Sequence, residues 1–158
     1  MAKVNKYLPD GFIPLGEPPA RRRMLAATVT IVKGDVLHDD GSGFATNATT
    51  AFAATCLGVA AAPCVGDSST VYVEYYPLDT KTQYIVPVAA PAAAITQTAV
   101  GLICDLQAND DIDIGDNVTE GVGFFIDEID ICAAALVGNT YGYAIGHFVD
   151  TGVQASSA

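Results

Sequence analysis

Apolar and polar residues alternate with a period of two along much of the chain, and no stretch sustains the 3.6-residue period of an amphipathic helix. The clearest case is residues 70–76. Val71, Val73 and Tyr75 fall on one side there, and Thr70, Tyr72, Glu74 and Tyr76 on the other. A turn at 77–82 leads into residues 83–89, with Tyr84, Val86 and Val88 on one face, so the two segments read as a hairpin. Residues 26–33, 36–38, 44–46, 52–62, 99–106, 124–127, 130–137 and 141–149 read as further short strands. Gly, Asp, Asn and Ser punctuate them at 34–35, 39–43, 66–69 and 138–139, where positive-φ turns are expected. Residues 91–94 read as a loop or one helical turn, and residues 108–116 as an acidic loop. Val71, Val73, Tyr84, Val86, Leu102 and Ile145 are expected in or near the core. The pattern predicts an all-β protein: a single β-sandwich or small barrel-like domain with an extended N-terminal arm.

The arm is residues 1–24. Pro9, Pro14, Pro18 and Pro19 forbid a continuous helix and do not suit a central strand. Tyr7, Leu8, Phe12, Ile13 and Leu15 are too apolar for a purely solvated tail. The arm also holds five of the seven basic residues (Lys3, Lys6, Arg21, Arg22 and Arg23) against Asp10 and Glu17, a net charge of +3. The remaining chain has Lys33 and Lys81 against sixteen acidic residues, a net of −14, which together give the overall −11. This asymmetry predicts three parts: a basic assembly arm at 1–24, an all-β body at 25–150 and a polar tail at 151–158. The arm is expected to lie on the acidic surface of another copy, with Asp110, Asp111, Asp113, Asp116 and Glu120 as its candidate docking acids.

Composition narrows the function classes. Charged residues make up 16% of the chain, below the roughly 25% usual for globular proteins, so partners are expected to cover much of the surface. An acidic body does not suit nucleic-acid binding, which needs Lys and Arg at phosphates. Arg21–Arg23 followed by an apolar run imitates the start of a signal peptide. The run contains two Thr, ends at Lys33-Gly34-Asp35 without a small-residue cleavage site, and is too short to span a membrane. Cys56, Cys64, Cys104 and Cys132 form no metal-binding spacing with His38 and His147, and read as buried free thiols. A Cys56–Cys64 bridge across a hairpin is the alternative.

Candidate chemistry is sparse. The acids from Asp105 to Glu120 could offer oxygen ligands to Ca²⁺, but Gly115 falls where an EF-hand loop counted from Asp111 needs an oxygen. The segment therefore reads as a solvated or partner-facing surface. Gly66-Asp67-Ser68-Ser69 reads as a turn, not a protease motif. Asn47-Ala48-Thr49 and Asn117-Val118-Thr119 are glycosylation sequons that matter only in a secretory setting. A weak internal echo relates residues 31–35 and Gly43-Phe44 to residues 112–116 and Gly123-Phe124. It reads as recurrent turn chemistry more than as duplication.

Several features together resemble the small β-rich head decoration (capsid-stabilising) proteins of tailed phages. They are the Pro-containing arm, Lys33-Gly34-Asp35-Val36 after the first strand, and Cys56-Leu57-Gly58-Val59-Ala60-Ala61. Val100-Gly101-Leu102-Ile103-Cys104-Asp105-Leu106 and the closing Ala144-Ile145-Gly146-His147-Phe148-Val149 complete the set. The resemblance implies a non-enzymatic protein of the virion surface that binds copies of itself or a major capsid protein. It implies no cofactor, nucleic acid or membrane. A self-assembling extracellular filament, with each arm docked on the next subunit, is the alternative. A Ca²⁺- or glycan-binding module is a further one.

Overall fold

The strands predicted at 70–76 and 83–89 exist, but they do not pair as a hairpin: β8 and β9 belong to different sheets. The computed structural model describes residues 11–47, 52, 55–90, 97–119, 121–130 and 142–150. They form an all-β fold. In chain order the strands are β1 (Ile13–Leu15), β2 (Arg22–Leu25), β3 (Thr30–Ile31), β4 (Val36–Asp39) and β5 (Ala45–Asn47). There follow β6 (Cys56–Ala60), β7 (Cys64–Val65), β8 (Tyr72–Pro77) and β9 (Gln83–Ala90). A single 3₁₀ turn, Gln97–Ala99, precedes β10 (Ile103–Ala108), β11 (Asp111–Asn117), β12 (Val122–Asp130) and β13 (Tyr143–Asp150).

Strands β9, β11, β10, β12 and β13 pair in that order, and β13 returns to β9 to close a five-stranded barrel. Closure leaves alternate side chains pointing inward, which explains why Tyr84, Val86 and Val88 are all buried. A second five-stranded sheet has the order β2-β8-β6-β4-β5. Its outer strands meet where Ala26, just past β2, forms a parallel bridge to Ala45 of β5. The N–H of Ala27 also donates to the Ala45 carbonyl at 2.8 Å. Strands β3 and β7 pair only with each other as a two-stranded ribbon.

The two five-stranded units repeat one topology. Numbering each unit's strands in chain order, the first lies between third and fifth, and the second between third and fourth. The first–third pairing is parallel in both units. The match extends to single residues. Gly34 and Gly101 each stand two residues before their unit's second strand, with φ of 97° and 93°, a conformation that favours glycine. Gly34 N–H donates to Ala60 O at 3.0 Å, and Ala60 N–H to Asp35 O at 2.8 Å. Gly101 N–H donates to Ile126 O at 2.9 Å, and Ile126 N–H to Leu102 O at 3.0 Å, reproducing the same loop. In register, Leu37 faces Asn47 as Cys104 faces Asn117. The chain therefore carries a structural repeat, but the repeat aligns Gly34 with Gly101 and not with Gly115, so the echo read in the sequence is not its trace.

Residues 11–24 are not a free arm. Phe12 is 1% exposed and sits in the core of the second unit, its ring 5.4 Å from those of Phe124 and Phe148. Strand β1 pairs with β9, Ile13 opposite Ile85, and β2 pairs with β8. The expected boundary at 24 thus falls inside a strand. The physical reason is apolar: Phe12 gains more in an aromatic core of its own chain than on a solvated surface. The prolines are accommodated because β1 is a three-residue strand paired to β9 and Pro18 and Pro19 lie outside strands.

Other expectations shift too. Residues 108–116 are a hairpin and not a loop: Asn109 and Asp110 make the turn, and Ile112 is fully buried on β11. Of residues 26–33 only Thr30–Ile31 forms a strand. Of the residues expected in or near the core, Val73, Tyr84 and Val86 are in it and half-buried Leu102 packs against it, while Val71 and Ile145 are half-buried. The segments expected at 91–94 and 131–137, and the tail 151–158, lie outside the described residues.

Phe12→Ala should destabilise the protein by about 3–5 kcal/mol, the usual cost of emptying an aromatic core position. Leu15→Ala, at a site 38% exposed, should cost about 0.5 kcal/mol or less. Urea unfolding of the two variants measures the difference. Equal effects would show that β1 is not anchored through Phe12.

Candidate functional site

Arg21 and Arg23 lie on one face of the β2–β8 pair, where they meet Glu74 and the rings of Tyr76 and Tyr72, whereas alternation turns Arg22 to the other face. Arg21 lies 3.8 Å from Glu74, and its guanidinium is 5.6 Å from the centroid of the Tyr76 ring. The Arg23 guanidinium stands 4.6 Å over the ring of Tyr72, which is 50% exposed. Arg22, opposite Tyr75 in register, is exposed. Cation–aromatic stacking fixes each guanidinium plane while leaving its N–H groups for a partner. This gives a small, rigid, basic face on an acidic protein.

The predicted acids divide. Asp110 is at the β10–β11 turn, and Asp113 and Asp116 lie along β11, half-buried and exposed respectively. Asp111 is half-buried, and its Oδ1 is enclosed without a hydrogen-bond partner. Burial and the neighbouring Asp110 push its carboxyl up to about 6. Among the described residues no three His, Cys, Asp or Glu side chains converge on a common metal position. Asp105, counted with the possible Ca²⁺ ligands, instead accepts the N–H groups of Phe52 and Leu106, each at 2.8 Å. Lys3, Lys6, Tyr7, Leu8 and Glu120 lie outside the described residues. Phe12 is a core residue, and Ile13 is half-buried and pairs with Ile85 of the chain's own sheet.

Much of the acidity has a local structural use. Asp39 accepts from the Gly41 N–H, Asp40 from Ser42, Asp79 from Lys81 and Thr82, and Asp113 from Gly115. Asp67 accepts the N–H groups of Ser69, Thr70 and Val71 and the Thr70 hydroxyl, which hold its carboxyl well below the usual range. Each carboxylate satisfies turn amides that the sheets leave unpaired. The 66–69 segment is therefore the turn expected from sequence. Asp35 is the buried case. It takes Val32 N–H at 2.8 Å and the Asn47 amide at 3.4 Å, where the second unit has Leu102. Desolvation outweighs these bonds and raises its carboxyl above the ordinary value.

Sequence reasoning missed one cluster. His147 Nδ1 lies 2.9 Å from Asp127 Oδ2, and the Gln83 amide donates to the same oxygen at 3.1 Å. The ring centroid of His147 is 5.2 Å from that of Phe125. The trio ties β9, β12 and β13 together across the barrel exterior. Cross-strand register, invisible before pairing is known, brings it together. An open cleft of about 490 Å³ lies nearby, lined by Leu15, Glu17, Pro18, Lys81, Thr82 and Gln83 among others.

Cys56, Cys64 and Cys104 are free thiols, and Cys132 lies outside the described residues. The Cys56–Cys64 bridge does not form because β6 pairs with β4 and β8 while β7 pairs with β3. Burial pushes the Cys56 and Cys104 thiols up to about 12. No helix among the described residues is long and apolar enough to cross a membrane. No protein family, curated protein or solved structure matches the chain.

The two kinds of carboxylate set opposite pH dependences. Asp67 has a lowered pKa, so its contribution is present above the unfolded value near 3.8 and is lost as pH falls below it. Asp35 and Asp111 have raised pKa values, so their contribution is complete below 3.8 and is lost as pH rises through the folded value, about 6 for Asp111. Melting temperature should therefore peak close to the unfolded value shared by all three carboxylates, at about pH 4. Asp111→Asn should raise stability at pH 7 by about 1 kcal/mol after allowing for solvent screening, or about 2–4 °C in a chain this size. It should also flatten the fall between about pH 4 and 6. Scanning fluorimetry from pH 3 to 8 checks both, and a variant no more stable than the parent at pH 7 would contradict the assignment.

Proposed function

We propose that the chain is a non-enzymatic structural subunit of a repeated protein lattice, most specifically a decoration protein of a virion surface. The observation that carries this reading is the placement of charge on a stiff scaffold. The first unit presents Arg21 against Tyr76 and Arg23 against Tyr72, and the second presents Asp113 and Asp116 on β11. The ion pair Arg21 makes is with Glu74 of its own unit and not with the β11 acids. A basic face on one unit and an acidic face on the other favour a contact between copies in which different patches meet. Such a heterologous contact closes into rings or propagates. The resemblance to phage head decoration proteins supports the same reading, with a major capsid protein as the second partner. A homopolymeric filament uses the same two faces and differs only in whether rotation closes the assembly. Individual exposed pairs contribute about 0–1 kcal/mol, so affinity requires several together and weakens with salt.

Two variants test the contact. Arg21→Ser/Arg23→Ser removes the basic face, and Asp113→Asn/Asp116→Asn neutralises the acidic one. Each alone should fail to assemble in analytical ultracentrifugation and electron microscopy. A mixture of the two should form pairs and stop, because each retains one working face. Intact protein that remains monomeric at high concentration and does not coat capsid shells would overturn the proposal.

A further inference from the structure

The turn between β4 and β5 carries an Asp-Gly pair, Asp40-Gly41. Asp40, Gly41, Ser42 and Gly43 are all exposed, and a Cβ built on Gly41 would meet nothing within 4 Å. The two carboxylates of the turn are held by its own amides. Asp39 Oδ1 accepts the Gly41 N–H at 2.8 Å and the Gly43 N–H at 3.3 Å. Asp40 Oδ1 accepts the Ser42 N–H at 2.8 Å and the Phe44 N–H at 3.2 Å. The Asp40 N–H in turn donates to the Phe44 carbonyl at 2.9 Å, which closes the turn.

These contacts bring the parts of an acyl-transfer step into one turn. The nucleophile is the Gly41 nitrogen. It is tethered to the Asp40 side chain and closes a five-membered ring on its carboxyl carbon, so no bimolecular encounter is needed. Gly41 has no side chain to hinder the approach, and the space around it is open. The base is Asp39, whose Oδ1 already accepts the N–H that this nitrogen must lose. The Ser42 and Phe44 N–H groups point at Asp40 Oδ1, the atom that becomes an oxyanion when the carbon is attacked.

We propose that the folded turn converts Asp40 to isoaspartate through a cyclic imide closed by the Gly41 nitrogen, with Asp39 as the base. The bond from Gly41 N to Asp40 Cγ forms as the N–H proton passes to Asp39. The Cγ–Oδ2 bond then breaks, and Asp39 returns the proton to the departing hydroxyl, so one water leaves. Water re-enters at either carbonyl of the imide, and the step needs no other reactant. Opening at the side-chain carbonyl restores aspartate. Opening at the main-chain carbonyl gives isoaspartate, whose backbone runs through Cβ and Cγ and is longer by one methylene. The added atom lies just before β5, whose Ala45 accepts the Ala27 N–H at 2.8 Å and bridges Ala26 where the first unit closes. The turn is separate from the lattice faces on β2 and β11, so this proposal does not rest on that one.

The test incubates the full chain at about pH 5, because the step consumes the acid form of Asp40. Peptide-resolved mass spectrometry with electron-transfer fragmentation follows the imide, as the loss of one water, and isoaspartate at position 40. Conversion should be about tenfold faster in the folded protein than in the same protein unfolded in urea. Asp10-Gly11 offers the same dipeptide after Pro9, with no carboxylate at the preceding position, and serves as the internal standard in urea. Asp39→Asn keeps an oxygen for the Gly41 N–H but cannot take its proton, so it should slow conversion in the folded protein about tenfold. Circular dichroism checks that this variant keeps the β fold. A rate at Asp40 in the folded parent no higher than in urea would overturn the proposal, whatever the variant does. An unchanged rate in folded Asp39→Asn would overturn it as well, since the base would then be idle.

Discussion

The fold depends on one aromatic contact made across almost the whole chain. Phe148 is surrounded by Phe12, Phe52, Tyr84 and Phe124, with ring centroids 5.2–5.7 Å away. Edge-on and tilted packing suits the ring quadrupoles and fills the barrel without polar atoms other than the Tyr84 hydroxyl. Phe12 is the contributor from outside the barrel strands at the N-terminal end. Placing it there requires Gly11 to touch Gly34 and puts β1 on the edge of β9 that β11 occupies further along. Val36 and Val59, from the first unit, join the same core, so the two units share apolar packing as well as topology.

Repetition explains features that would otherwise look unrelated. The second unit builds its Gly-to-second-strand loop around apolar Leu102, whereas the first unit places Asp35 there and buries it. Asp35 earns its position by bonding Val32 N–H and Asn47, groups next to the ribbon, which the first unit forms between its first and second and its fourth and fifth strands. The acidic excess has a related origin. Aspartates at turn after turn accept backbone amides, so a large part of the negative charge follows from making tight connections between short strands.

Legibility in the sequence followed the strength of local pattern. Residues 83–88 alternate cleanly, and Tyr84, Val86 and Val88 are core as expected. The turns at 39–43 and 66–69 were readable because Asp, Gly and Ser have mechanisms for making them. Strand β11 was hidden because Asp111, Asp113 and Asp116 dominate its composition, although Ile112 and Ile114 keep the period of two. Residues 11–24 were misread because proline and arginine describe local chain behaviour, whereas the fate of Phe12 is decided by rings more than 70 residues away in sequence. The arginines stand out in the sequence by charge alone, but their tyrosine neighbours needed the β2–β8 register to be seen. The His147–Asp127–Gln83 trio was illegible for the same reason.

The position of Phe12 also bears on how the molecule is made. Strands β2 to β8 are contiguous in sequence, and so are β9 to β13, so each unit becomes available to fold as a block during synthesis. Phe12 leaves the ribosome before either block but belongs to the later one, and its central neighbour Phe148 is almost the last described residue to be translated. The first described residues to be synthesised are therefore among the last to be seated. Until then the aromatic core lacks one of its rings, and the chain holds its two halves together with a part that arrives first and is fitted last.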